Sequence, residues 1–420
     1  MIVRQSAVAW GAALVFLAPA TAFTAEVHGQ WVTAWATALQ PIPQRADLPP
    51  LYRAPDVAGR TVRQIVYPTL SGSAVRIHVS NAYGKTPLVI EDASLARSVT
   101  GAKTQSGSAI RVTFGGKAAV TLPAGGEIDS DAIPANVVAG APYAVSVYMG
   151  ADQRMVAWHR VSSQVNYVSA PGNHTADAGD GAYQQRFTQY AWITGLTVEA
   201  PSASAVAAIG DSITDGMRSS LNQNRRWPDA LARRLVGAGV QSTAVINVGI
   251  SGNRLLSDSP CYGDALVSRF RRDVLDHPGV KTAALLIGIN DINFAAMPPR
   301  AGLDCDFPHA EVTADKLIDG YRRVIAAAHE RGVRILGATL TPAALPPQRE
   351  RTRVSVNEWI RTSRAFDGVV DFDAALRDAA QPAQLQRVFD SGDHIHPNDA
   401  GYAAMAGAVS LQMIAGSSRQ

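Results

Sequence analysis

The sequence predicts two folds in series, an all-β sandwich followed by an α/β domain on a doubly wound parallel sheet. From residue 27 to 198, short β-rich runs are separated by Gly, Pro and Asn, and several alternate in polarity as a sheet with one wet face does. After a Pro/Ser-rich junction at 201–204 the period changes: apolar strand-like runs alternate with helical ones, as in parallel strands joined by right-handed crossovers. A length of 420 residues, too long for one average domain, agrees with two.

Ahead of both lies a leader. Residues 1–22 carry Arg4, an apolar core over 7–18, and Ala20-Thr21-Ala22, a small-x-small site for cleavage before Phe23. The expected address is secreted or periplasmic. A membrane anchor is the competing reading, but the apolar stretch is short for a span and no stop-transfer segment follows, so no integral membrane segment is expected after cleavage. The chain is 47% apolar and 17% charged with a net charge of +3, and its Lys and Arg are scattered, so no nucleic-acid partner is expected.

In the β domain, expected over 27–198, strands are predicted at 61–67, 74–80, 110–114, 118–122, 143–148 and 191–198. Trp31, Trp35, Trp158, Tyr67 and Trp192 suit either a sugar-binding face or the sandwich core, and core is the commoner fate of such aromatics. In the second domain, expected over 205–416, the strands are 206–209, 244–248, 282–287, 334–340 and 369–372. Helices are predicted at 227–236, 265–275, 314–329, 353–362 and from 400 onward.

Every stretch with chemical character follows one of those strands or lies in the last loop. The first strand leads to Gly210-Asp211-Ser212-Ile213, the second to the segment 247–253, which contains Gly252, and the third to Gly288-Ile289-Asn290-Asp291. Asp393-His394-Ile395-His396-Pro397 precedes the final helix, with Pro397 suited to its first position. In an open parallel sheet the carboxyl ends of the strands share one edge, so these segments converge there. A serine at a strand-turn-helix corner is a candidate nucleophile; a helix-capping serine is the bland alternative.

Four blocks in this order resemble the SGNH hydrolase superfamily, also called GDSL esterases and lipases, over roughly 205–410. Gly210-Asp211-Ser212-Ile213 is similar to its first block, with Ile for the usual Leu; Gly252, Asn290 and Asp393-x-x-His396 match the second, third and fifth. The resemblance implies a flavodoxin-like sheet and a secreted bacterial two-domain architecture. It also implies a carboxylic ester hydrolase with Ser212, His396 and Asp393 as catalytic residues and Ser212, Gly252 and Asn290 as the oxyanion hole. Chemistry supports those roles: a serine hydroxyl needs a base to take its proton, a carboxylate three residues from the base fixes its tautomer, and fixed donors meet the developing oxyanion. His394 competes with His396 but lacks the spacing to Asp393. Asp211 reads as structural, bonding nearby amides, and Asp215 and Arg218 as solvated surface beside the pocket.

Neither G-x-G-x-x-G nor a G-x-S-x-G elbow surrounds Ser212, which argues against a dinucleotide-binding domain and an α/β-hydrolase. No H-E-x-x-H or Cys/His cluster accompanies His394 and His396, so no metal or cofactor is expected. The expected substrate is a small acyl ester, with acetyl groups on carbohydrate favoured by export, on a small-molecule or polysaccharide alcohol. The reading from another class is a non-catalytic exported carbohydrate-binding or adhesion protein. Cys261 and Cys305, the only cysteines, fall in non-periodic segments after the second and third blocks, and export permits a disulfide between them rather than two free thiols.

Overall fold

The computed structural model describes residues 29–43, 52–294 and 305–415, so the leader expected over 1–22 lies outside the described residues. The β-rich part forms two larger antiparallel sheets and a two-stranded one, Gln40–Pro41 with Ala157–Trp158. In one, Trp31–Ala36, Ile193–Glu199, Val75–Ser80 and Glu127–Asp129 lie side by side in that order. In the other the order is Gln185–Phe187, Asn166–Pro171, Arg60–Val66, Tyr143–Met149, Leu88–Thr100 and Lys103–Thr104. Period-2 alternation sends Val62, Val145, Val147 and Ile90 from this sheet, and Ile77, Val79, Leu196 and Val198 from the first, into one core.

Leu88–Thr100, at 13 residues the longest strand, is absent from the sequence expectation. Glu91, Asp92, Ser94 and Arg97 interrupt its alternation, and pairing along Tyr143–Met149 decides its state instead of propensity. The strands expected at 110–114 and 118–122 shrink to Ile110–Arg111 and Val120–Leu122. Gly115 and Gly116, with φ of 58° and 77°, turn the chain between them. Trp35, Trp158 and Trp192 are buried, which places these aromatics in the core.

The second half is a five-stranded parallel sheet in the order Thr243–Asn247, Ser204–Gly210, Val280–Leu286, Arg334–Ala338 and Gly368–Val370. Counted along the chain that order is 2-1-3-4-5, the flavodoxin-like arrangement, whose switch point lies between the first and third strands. Helices Trp227–Gly237, Ala314–Glu330 and Asp399–Ala408 match expectation closely. The helix expected at 353–362 already starts at Pro347, a residue suited to a first turn that reads in sequence as a loop breaker. The stretch 265–275 is Leu266–Phe270 continued by a π-helical turn, Arg271–Leu275. Pro397 is not the first helical residue: the Asn398 side chain accepts from the Gly401 amide as the cap, and Pro397 precedes it.

The halves share one hydrophobic core. Trp31–Ala36 packs along the edge strand Thr243–Asn247. There the Thr69 hydroxyl accepts from the Val245 amide at 2.9 Å and lies 2.9 Å from the Val245 carbonyl, while the Thr33 amide donates to Pro278 O at 2.9 Å.

Candidate active site

Ser212 stands where the first parallel strand turns into a helix. The turn needs Gly210, because a Cβ there would lie 2.0 Å from the Leu286 carbonyl oxygen. Asp211 then caps the short helix Ser212–Asp215, its carboxylate accepting from the Ile213 amide at 3.0 Å, the structural role expected of it. Burial pushes the Asp211 carboxyl up to about 7.

The last loop delivers an imidazole to that serine. Ser212 Oγ lies 2.8 Å from His396 Nε2, and His396 Nδ1 lies 2.9 Å from Asp393 Oδ2. A proton on Nδ1 shared with the carboxylate leaves the Nε2 lone pair facing the hydroxyl. The other Asp393 oxygen accepts from the His396 and Ile395 amides at 2.8 and 3.1 Å, and Arg218 Nε donates to Oδ2 at 3.1 Å. Partial burial alone raises the Asp393 carboxyl, but these hydrogen bonds overcome it and hold the group well below the usual carboxylate range. His394 points elsewhere: it bonds Asp390 Oδ2 at 2.7 Å and its side chain is 69% exposed.

Gly252 and Asn290 arrive from the loops after the second and third strands and line a cavity of about 180 Å³ with Ser212 and His396. Gly252 has φ 84°, and the Tyr262 ring comes within 2.3 Å of where its Cβ would be, so no other residue fits. Asn290 Nδ2 donates to Asn253 O at 3.0 Å, which fixes the amide plane at the cavity wall. The neighbouring Asp291 carboxylate receives the Leu255 and Leu256 amides at 2.8 and 3.0 Å, and burial raises it to about 6. Beneath the three loops, buried Arg269 donates to Gly210 O, Val248 O and the Asn253 side chain at 2.9, 2.8 and 2.9 Å. Cys261 and Cys305 form a disulfide with Cα atoms 5.1 Å apart, joining the segments that follow these loops. The Gln40 side chain of the β half donates to Cys261 O. Among the described residues no group of three His, Cys, Asp or Glu is placed to hold a metal.

Asp215 is not solvated surface. It is 1% exposed, and its Oδ2 accepts from the amide and hydroxyl of Ser251, the residue before Gly252, at 2.9 and 2.5 Å. Its Oδ1 lies 3.0 Å from Nε2 of buried His159, which belongs to the β half and whose Nδ1 is 3.0 Å from Ala38 O. Arg218, the other residue read as surface, is indeed 59% exposed but ion-paired to Asp393. Next to His159, Arg160 lines the cavity itself. Neither was singled out from sequence. The one available signal was a His-Arg pair directly after a buried Trp, where two polar side chains cannot both reach solvent from a core strand.

Comparison with known proteins covers this half. Residues 208–404 match the GDSL-like Lipase/Acylhydrolase family. Solved structures similar to the chain include a variant of an acetyl xylan esterase from Geobacillus stearothermophilus, 21% identical with a TM-score of 0.38, covering 51% of this chain and 96% of that one. Another is an alpha/beta hydrolase enzyme from the metagenome of Lake Arreo, Spain, 22% identical with a TM-score of 0.36, covering 50% and 94%. A third is a GDSL-like lipase from Bacteroides thetaiotaomicron VPI-5482, 17% identical with a TM-score of 0.35, covering 50% and 87%. Similarity at this level says nothing of substrate, and a search among curated proteins finds no match. The family match spans the strand ends that carry Ser212, Gly252, Asn290 and His396, and the α/β half of this chain therefore belongs to the GDSL-like acylhydrolases of the SGNH superfamily, which makes the protein a carboxylic ester hydrolase.

Proposed function

We propose that the protein is an exported serine esterase of small acyl esters, acetyl esters of carbohydrate among them, with residues 205–416 catalytic and 27–198 accessory. One observation carries the mechanism: Ser212 Oγ, His396 and Asp393 form a continuous hydrogen-bonded line, 2.8 and 2.9 Å, that opens into the cavity bearing Gly252 and Asn290. Ser212 Oγ attacks the ester carbonyl as its proton passes to His396 Nε2, and Asp393 stabilises the imidazolium. The oxyanion is met by the amides of Ser212 and Gly252 and by Asn290 Nδ2. Collapse breaks the carbon–oxygen bond to the alcohol, which leaves with the proton from His396. Water then attacks the acyl-serine, His396 again taking its proton, and the carboxylic acid departs as Ser212 is re-protonated.

Met217, Ile289, Phe294 and Ile395 give the cavity an apolar wall for the acyl group. Its volume of about 180 Å³ is small against the roughly 300–1,000 Å³ of pockets for drug-sized ligands, which favours short acyl chains. The test is labelling with a p-nitrophenyl phosphonate beside a panel of p-nitrophenyl esters from acetate to palmitate and acetylated polysaccharides. Stoichiometric labelling of Ser212 and rates that fall with chain length are expected. A protein that neither labels nor hydrolyses any ester is a binding protein, and this proposal is wrong.

A further inference from the structure

One wall of the catalytic cavity comes from the β half. Arg160 is 7% exposed and lines the same cavity as Ser212, Gly252, Asn290 and His396. Its guanidinium carbon sits 5.1 Å from the centre of the Tyr52 ring and 5.8 Å from that of Tyr262, contacts that hold the cation through the ring faces without using its N–H donors. Nε is buried without a hydrogen-bond partner, and among the described residues no carboxylate or carbonyl engages the group. The other deeply buried arginines behave differently. Arg63, Arg254, Arg269 and Arg353 all donate to carbonyl oxygens, and the last two also pair with Asp273 and Asp373. The acid nearest the chemistry, Asp393, is already committed to His396 and Arg218.

A buried cation with no counter-charge among its described neighbours is costly, and a planar guanidinium fork matches a carboxylate in two parallel hydrogen bonds. We propose that Arg160 binds a carboxylate of the substrate, so that the enzyme selects esters carrying a negative charge near the scissile bond. The inference rests on the esterase reading of Ser212 and adds the substrate's charge to it. That carboxylate belongs either to the acyl part, as in a dicarboxylic half-ester, or to the alcohol, as in an acetylated uronic acid.

Two matched pairs separate these sources: p-nitrophenyl hemiglutarate against its methyl ester, and methyl O-acetylglucuronoside against its uronate methyl ester. For one pair the wild-type enzyme should prefer the acid in kcat/KM. Arg160→Met should cut that acid-to-neutral ratio about tenfold to a hundredfold, mainly through KM, the loss expected for a charge-assisted hydrogen bond, and Arg160→Lys should restore part of it. A wild-type ratio at or below one for both pairs overturns the proposal, as does a ratio that Arg160→Met leaves intact. Should that variant not fold, wild-type inhibition decides: glutarate or glucuronate should compete with p-nitrophenyl acetate while the corresponding amide does not, and equal inhibition by both counts against Arg160. Failure of the esterase reading looks different, since then neutral esters are not turned over either and both proposals fall.

Discussion

The α/β half and the β half enter this active site by different routes. Ser212, Gly252 and Asn290 stand at the carboxyl edge of the parallel sheet, placed there by strand ends and by the switch point between the first and third strands, and the last loop brings His396 to them. The β half has no such edge, yet two consecutive residues after buried Trp158 cross to the site: His159 on Asp215 and Arg160 in the cavity wall. The proposed chemistry thus falls to the half with the motifs, while the β half contributes to what surrounds it. Through Asp215 and Ser251, His159 braces the loop of Gly252, so the proposed line between catalytic and accessory parts does not follow the boundary between sheets.

The sharpest way to break this division is to remove the proposed reacting groups. Ser212→Ala or His396→Ala should each lower kcat by about 10⁴-fold or more without lowering the melting temperature, and the double variant should be little worse than either. Additive losses would mean that the two residues do not act as one unit. Asn290→Ala comes next, with a fall of about 10²- to 10³-fold in kcat and little change in KM, the pattern of a donor acting in the transition state. A rise in KM alone would make it a ground-state contact.

The β half can be probed by the same measurements. His159→Ala takes a hydrogen-bond partner from the buried Asp215 carboxylate, a loss of about 1.5–3 kcal/mol. Denaturation midpoint and kcat should fall together. If both stay at wild-type values, the β half is a passenger. Reduction of Cys261–Cys305, which closes a loop with a sequence separation of 44, should remove about 4 kcal/mol in the chain-entropy picture and depress activity by loosening the loops of Gly252 and Asn290. Unchanged activity in the reduced protein would show those loops to be held by Arg269 and Asn253 instead.

The smallest effect is a matter of pH. His78, in the β half, bonds Asp129 at 2.8 Å and lies 3.8 Å from Glu127. Burial alone lowers its pKa, but the two carboxylates win and raise it to about 9. A folded value above the unfolded 6.5 stabilises fully below about pH 6.5, and that stability is lost as pH rises through 9. With the side chain 30% exposed, the contribution is about 1–2 kcal/mol. The melting-temperature gap between wild type and His78→Gln should therefore close between pH 6 and 10; a gap that persists would assign the effect to packing.

Legibility in the sequence followed the same division. The strands of the second half are apolar runs because helices cover both faces of their sheet, and the residues that matter follow them at recognisable spacings. His159 and Arg160 have no spacing signature, since their partners Asp215 and Tyr262 are distant in sequence and meet them only through tertiary packing. Asp215 misled for a related reason: an acid beside a turn reads as solvated until a histidine from another sheet is packed on it. Leu88–Thr100 was hidden by polar residues that its neighbouring strands, not its own period, keep in place.

Thr69 has a consequence for handling the protein. Its hydroxyl meets both polar backbone groups of Val245 on the outermost strand of the parallel sheet, against which Trp31–Ala36 is laid. An α/β half produced alone would bare that strand with its apolar side chains and unpaired amides, a template for pairing with other chains. The β half is thus a built-in guard against aggregation, and shortening the protein to its catalytic portion should give inclusion bodies, not a smaller soluble enzyme.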